Sequence, residues 1–216
     1  IDEIQRCHSV GRPVLVGGGV VVAASYEAKA LGVRCPMPGH EARALWPRAV
    51  RVRPRFEAYT EASRAVFAIF NGTTPLVEGV SVDAASLKIT GLQKISGTPV
   101  AIAARLRARD RSEVGLPITV GVARTKFLAK VASGASKPDG LLVVEPDAEQ
   151  AFLHPLPIEA LWGVGKVTTG KLNGLGIRTV GDVARTSRVR LASPESSRAR
   201  CVGASPPRPS PSSIRC

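Results

Sequence analysis

Apolar and polar residues alternate from Pro75 to Val82 and resume from Leu87 to Thr90. This period-two pattern predicts two half-buried strands that meet at Asp83. An earlier stretch, "RPVLVGGGVVVAAS" (12–25), predicts a strand, a glycine turn and a second strand. The spacing turns helical in "FEAYTEASRAVFAIFNG" (56–72). There Phe56, Tyr59, Ser63, Val66, Phe67 and Phe70 fall near one face, with Gly72 just past the end. Shorter helices are expected in "YEAKALGV" (26–33) and in "EARALWP" (41–47), the latter stopped by Pro47. "RAVRVRPR" (48–55) reads as a basic extended stretch, and the first eleven residues as the later turns of a helix.

Pro99 opens a further helix that closes near Gly115, "PITVGVA" (117–123) reads as a buried strand, and Thr125 caps a helix through about Ser136. "GLLVV" (140–144) is one more strand. Strands and helices therefore alternate over the first 150 or so residues, which predicts an α/β fold with a mixed sheet and helices packed against it. The segment 153–184 differs: it is helical, punctuated by glycines, and can stand as a small module. After Ala184 the chain is dominated by Arg, Ser and Pro, with Glu195 as its only acid, and residues 185–216 are expected to be a disordered tail.

Composition sharpens this picture. Of 216 residues 44% are apolar but only 4% aromatic, so the core must come from Ala, Val, Leu and Ile. Thirty Lys and Arg against seventeen Asp and Glu give a formal charge of +13. So basic a chain suits a polyanion, with nucleic acid the foremost candidate and a basic surface without a specific partner the alternative. The four cysteines and three histidines are scattered, without metal-site spacing. No apolar run approaches the length of a membrane span, and the first ten residues lack a signal-peptide layout, so a cytoplasmic location is expected.

The stretch "GVGKVTTGKL" (163–172) carries the most specific chemistry. Gly165 to Lys171 has the opening of a phosphate-binding P-loop. Leu172, however, stands where a magnesium-binding hydroxyl is required, and no buried strand precedes it. A helix-hairpin-helix fits better: a helix ending at Trp162, a turn at Gly163, Val164 and Gly165, and a second helix through Leu172. Such a turn aims backbone N–H groups at a phosphate, with Lys166, Thr168 and Lys171 beside it. An ordinary helical corner is the alternative. Elsewhere, Tyr26 and Lys29 are three apart on one helical face, and Lys126 and Lys130 share another ahead of Lys137.

"SYEAKALGV", "TPLVEGVSVDAASL", "TKFLAKVASGASKPDG" and "LWGVGKVTTGKLNGLGIRTVGDV" occur in this order. On these four motifs the chain, from about residue 1 to 184, resembles the Y family of DNA polymerases, of the bacterial polymerase IV kind. The resemblance implies small fingers with a remnant of the palm over residues 1–62, a palm over 63–153 and a helix-hairpin-helix thumb over 154–184. It implies that Tyr26, Lys29 and Lys137 face a nucleoside triphosphate, with Lys29 where the family usually has Arg. Asp83 would be a catalytic magnesium ligand, and Gly163, Gly165 and the following helix would grip primer-template DNA. The monomeric state and the Mg2+ requirement are likewise expectations from the family.

The same resemblance exposes departures. The family's Asp-Glu reads Asp83-Ala84 here, and Ser86 and Lys88 replace its usual aromatic and acidic residues. The family's first strand, with another catalytic aspartate, is expected before Ile1. Two-metal phosphoryl transfer needs several carboxylates. The expectation is therefore a DNA polymerase homologue of damage tolerance with lost or impaired nucleotidyl transfer. A non-catalytic DNA-binding accessory protein and a degenerate gene product are the alternatives.

Overall fold

Val14, Leu15 and Val16 are all buried, because strand β1 (Val14–Gly17) lies inside a four-stranded sheet. β2 (Val20–Ala24) returns antiparallel to it, β4 (Val50–Val52) runs parallel on its other side, and β3 (Met37–Pro38) edges β2. Helices α1 (Tyr26–Ala30) and α2 (Gly39–Leu45) supply Ala28 and Ala42 to a core with Leu15, Val21 and Val33. A computed structural model describes residues 11–186 and 213–215. Its backbone divides into two compact units, Ile1–Ser63 and Arg64–Cys216. The expected helix at the start of the chain lies outside the described residues but for Gly11.

The second unit is built on a five-stranded sheet in the order β5-β6-β9-β7-β8. β5 (Val77–Ser81) and β6 (Ala84–Lys88) form an antiparallel hairpin, with Val77 opposite Leu87 and Glu78 opposite Ser86. β7 (Val120–Ala123) runs parallel to β8 (Leu141–Val143). Between β6 and β7 lies β9 (Ser213–Arg215), antiparallel to both. Three residues expected to be disordered are thus a strand, because unpaired N–H and C=O groups of β6 and β7 offer them a ladder. The rest of the expected tail beyond Thr186 lies outside the described residues.

Every residue of β7 is buried, and alternation explains how. Val120 and Val122 join the main core with Ile69 and Phe70 of α3 (Phe56–Thr73), Leu87 of β6, and Ile102, Ala103 and Leu106 of α5 (Pro99–Arg109). Ala123 points the other way, into a cluster with Leu128, Ala129 and Ala132 of α6 (Lys126–Ala135). Gly121 shares that second face, and a Cβ placed there would stand 2.1 Å from the Ala129 carbonyl oxygen. The absent side chain lets strand and helix backbones touch. Of the face predicted for α3, Phe70 is buried, but Phe56 is 65% exposed. The short helix α4 (Gln93–Ser96) precedes α5.

Helix α5 follows its predicted course from Pro99, with Thr98 as its cap, but the last turn before Gly115 widens into a π-helix over Asp110–Val114. The strands form two sheets. The two strands before residue 25 close with β4 into a sheet of their own, and periodicity alone does not say which strands pair. The helical module is also built differently from expectation. No α-helix ends at Trp162; after α7 (Glu149–Leu153) a 3-10 turn at Ile158–Ala160 precedes the hairpin. Pro155 and Pro157 remove two backbone donors and disfavour helical geometry before them.

Candidate nucleic-acid and nucleotide site

Tyr26 and Lys29 sit on α1 in the first unit. Ser25 caps that helix, its Oγ accepting from the Ala28 N–H at 3.3 Å and from the Val14 N–H at 3.1 Å, so the turn is tied to β1. The predicted shared face is real: Lys29 Nζ lies 5.0 Å from the Tyr26 ring centroid. Both residues are exposed.

Asp83 belongs to the second unit, as do Lys137 and the helical hairpin. It occupies the turn between β5 and β6, exposed, where its Oδ1 accepts a 2.6 Å hydrogen bond from Ser81 Oγ. Ala85 and Leu87 of β6 face the core, so Ala84, Ser86 and Lys88 lie on the opposite face. Glu78, directly across from Ser86, shares it and forms an ion pair with Lys126 at the start of α6. That face therefore carries one carboxylate held by a lysine, a buried serine and a further lysine. Among the described residues no group of three or more His, Cys, Asp or Glu is placed to hold a metal.

Lys137 is exposed in the turn between α6 and β8. Two residues on, Asp139 has φ +45° and is held by arginines from across the fold. Arg107 donates to its Oδ1 at 2.9 Å and to its backbone carbonyl at 2.6 Å, and Arg111 pairs with Oδ2. The hydrogen bond from Arg107 holds the Asp139 carboxyl below the usual range, with both guanidinium charges adding to the effect.

The hairpin turn falls at the expected glycines. Gly163 has φ +91°, which disfavours a side chain, and Gly165 is the N-cap of α8 (Lys166–Gly174). Helices α1, α5, α6 and α9 (Val180–Arg185) begin with a Ser or Thr side chain accepting from the first turn. α8 has no such cap, so the N–H groups of Lys166, Val167 and Thr168 lack a helical acceptor, with the Lys166 side chain in the same turn. Lys171 is in the last turn of α8. The module is laced by Ile158 N–H to the Arg178 carbonyl at 2.9 Å and by Val180 N–H to the Leu156 carbonyl at 3.0 Å, over buried Ile158 and Ile177. Thr179 and Asp182 form a capping box, and the N–H groups of Thr179 and Arg178 drive the Asp182 carboxyl far below its ordinary range. Trp162, exposed ahead of the turn, lies under Lys130 of α6, whose Nζ is 4.1 Å from the ring centroid.

Four partners were not singled out from sequence: Glu78, Arg107, Arg111 and Asp139. Their pairings join residues far apart in the chain, and no local spacing signals them.

Residues 3–134 match the impB/mucB/samB family, and residues 146–177 match the helix-hairpin-helix motif of the same family. The chain is 49% identical over 176 residues to DNA polymerase IV 2 of Mesorhizobium japonicum, covering 82% of this chain and 42% of the relative. It is 43% identical over 205 residues to DNA polymerase IV of Alkalilimnicola ehrlichii, covering 93% and 58%. The crystal structure of DinB from Sulfolobus solfataricus superposes with a TM-score of 0.80 at 31% identity, over 91% of this chain and 60% of that one. An insertion ternary complex of Dbh DNA polymerase gives 0.75 at 31% identity, over 88% and 58%. The chain thus spans about half the length of the curated relatives it matches. It belongs to the impB/mucB/samB family, the Y family of DNA polymerases.

Proposed function

We propose that this chain is a polymerase IV-like homologue that binds primer-template DNA in damage tolerance and performs nucleotidyl transfer weakly or not at all. In this reading residues 1–62 act as fingers, 63–153 as palm and 154–184 as thumb. The uncapped first turn of α8 and Lys166, Thr168 and Lys171 grip backbone phosphates, while Tyr26, Lys29 and Lys137 serve a nucleoside triphosphate.

The observation that carries the proposal is the tip of the β5–β6 hairpin. Y-family polymerases depend on divalent metal, and two ions that align a hydroxyl with a phosphate need several carboxylates around them. Here Asp83 is followed by Ala84, the facing Glu78 is engaged by Lys126, and Lys88 adds a positive charge to the same face. These residues do not fit a two-magnesium centre. A non-catalytic DNA-binding role on the same scaffold is the second reading, favoured by the uncapped first turn of α8 behind the glycine turn.

The test titrates labelled primer-template DNA at increasing salt and assays extension in parallel. Three or four phosphate contacts predict an affinity falling about a hundredfold between 50 and 200 mM salt. Lys166→Ala and Lys171→Ala should each lower the log–log slope by about one contact, without sequence preference. Affinity indifferent to salt, or unchanged in both variants, would remove the thumb from the reading. Extension should remain at background. Robust extension that disappears in Asp83→Ala would show that a single carboxylate suffices.

A further inference from the structure

We propose that Arg107 and Arg111 are positioning residues for Lys137, acting by sequestering the carboxylate of Asp139. This rests on the reading above, in which Lys137 faces a triphosphate. Lys137 and Asp139 share one tight turn, two residues apart. An unrestrained aspartate at that distance is the natural partner for a lysine, and an ion pair would cancel the charge that Lys137 offers to an anion. Asp139 is instead engaged by two arginines. Its left-handed backbone is uncommon for a residue with a side chain and is held from three directions. Arg107 donates to the Asp139 carbonyl at 2.6 Å and to Oδ1 at 2.9 Å, Arg111 pairs with Oδ2, and Arg107 Nε anchors to the Ile118 carbonyl at 3.2 Å.

Both carboxylate oxygens are therefore taken. Among the described residues Lys137 forms no ion pair. Arg107 is well placed for this work, because it flanks the stripe of Ile102, Ala103 and Leu106 by which α5 is fixed in the core. The helix supplies a rigid base and the guanidinium a planar fork that a lysine could not reproduce. Arg107 never needs to touch the nucleotide.

The decisive measurement is a double-mutant cycle on dATP binding in the presence of primer-template DNA, with dAMP as the control for base recognition. Arg107→Ala should weaken dATP about fivefold to tenfold and leave dAMP unchanged. Lys137→Ala should weaken dATP similarly, and the double variant should be no worse than Lys137→Ala alone, since Arg107 acts through that lysine. Adding Asp139→Asn to Arg107→Ala should restore part of the loss by removing the competing carboxylate, which a generally loosened fold would not allow. Additive losses in the double variant would overturn the proposal.

A second readout needs no nucleotide. Lysines are reductively 13C-methylated and the Lys137 resonance, assigned through Lys137→Arg, is followed with pH. In Arg107→Ala its pKa should rise as Asp139 turns toward it, and in Arg107→Ala/Asp139→Asn it should return to the parent value. An unmoved resonance in Arg107→Lys and Arg107→Ala alike would refute sequestration. If the parent chain binds no dATP, the nucleotide reading falls, while the lysine titration still decides whether the arginines hold Asp139 away.

Discussion

Replacing Asp110 with leucine should stabilise the second unit by about 3 kcal/mol, raising its melting temperature by about 5–10 °C. Asp110 is completely buried, and neither carboxylate oxygen has a hydrogen-bond partner. It continues the stripe Ile102, Ala103 and Leu106 by one more turn, so an apolar position holds an ionisable group. Burial raises its pKa from 3.8 to about 6, with Arg109 opposing the rise and Glu113 adding to it. The folded chain therefore holds this proton more tightly than the unfolded chain. Below the unfolded value both states are protonated and the penalty is absent. It grows as pH rises from about 4 to 6 and is constant above, at a cost on the order of 3 kcal/mol. Asp110→Asn isolates that component: its stability advantage over the parent should open across the same interval and then level off. An advantage equal at pH 4 and pH 8 would contradict an unpaired buried carboxylate.

Gly121→Ala should have the opposite effect, costing 3 kcal/mol or more and leaving little folded second unit, because overpacking here meets backbone instead of a yielding side chain. Its methyl would stand 2.1 Å from the Ala129 carbonyl oxygen and 2.4 Å from the Ser133 nitrogen, both on α6. Relief would require lifting α6 from β7, which opens the cluster of Ala123, Leu128 and Ala132. Gly134, on the same helix, supplies the control. Nothing lies within 4 Å of a Cβ built there, so Gly134→Ala should stabilise by about 0.5–1 kcal/mol. Urea unfolding of the two variants side by side would read the contrast. Equal stabilities would mean that strand and helix do not touch.

The local half of this structure was legible in the sequence. Thr125 announced its helix because a hydroxyl before an apolar run caps an amide, and its Oγ accepts from the Leu128 N–H. Asp83 was placed between two strands by alternation alone, although β6 begins at Ala84, earlier than the pattern suggested. Gly163 was readable as a turn residue because its positive φ suits few residues other than glycine. The non-local half was hidden. Asp110 stands in a charged run (107–113) with no local sign of burial, and only packing reveals that it points inward. The Arg107–Asp139 pairing joins residues 32 apart, and nothing in either neighbourhood specifies the other. Proline broke the helix expected before Trp162, where composition favoured helix and backbone chemistry did not.

Strand β9 has a consequence for how the protein is made. β6 and β7 emerge from the ribosome early, yet the rung between them is the last piece of described chain to be synthesised. Until Ser213–Arg215 arrives, the two halves of the five-stranded sheet present open edges to the cell, and such edges recruit other chains. The helices behind them can dock during translation, but the sheet cannot close until residues 213–215 have been made. Slow elongation through residues 187–212 would lengthen that exposure, so the yield of soluble protein should depend on the codons of a segment that contributes no described element of its own.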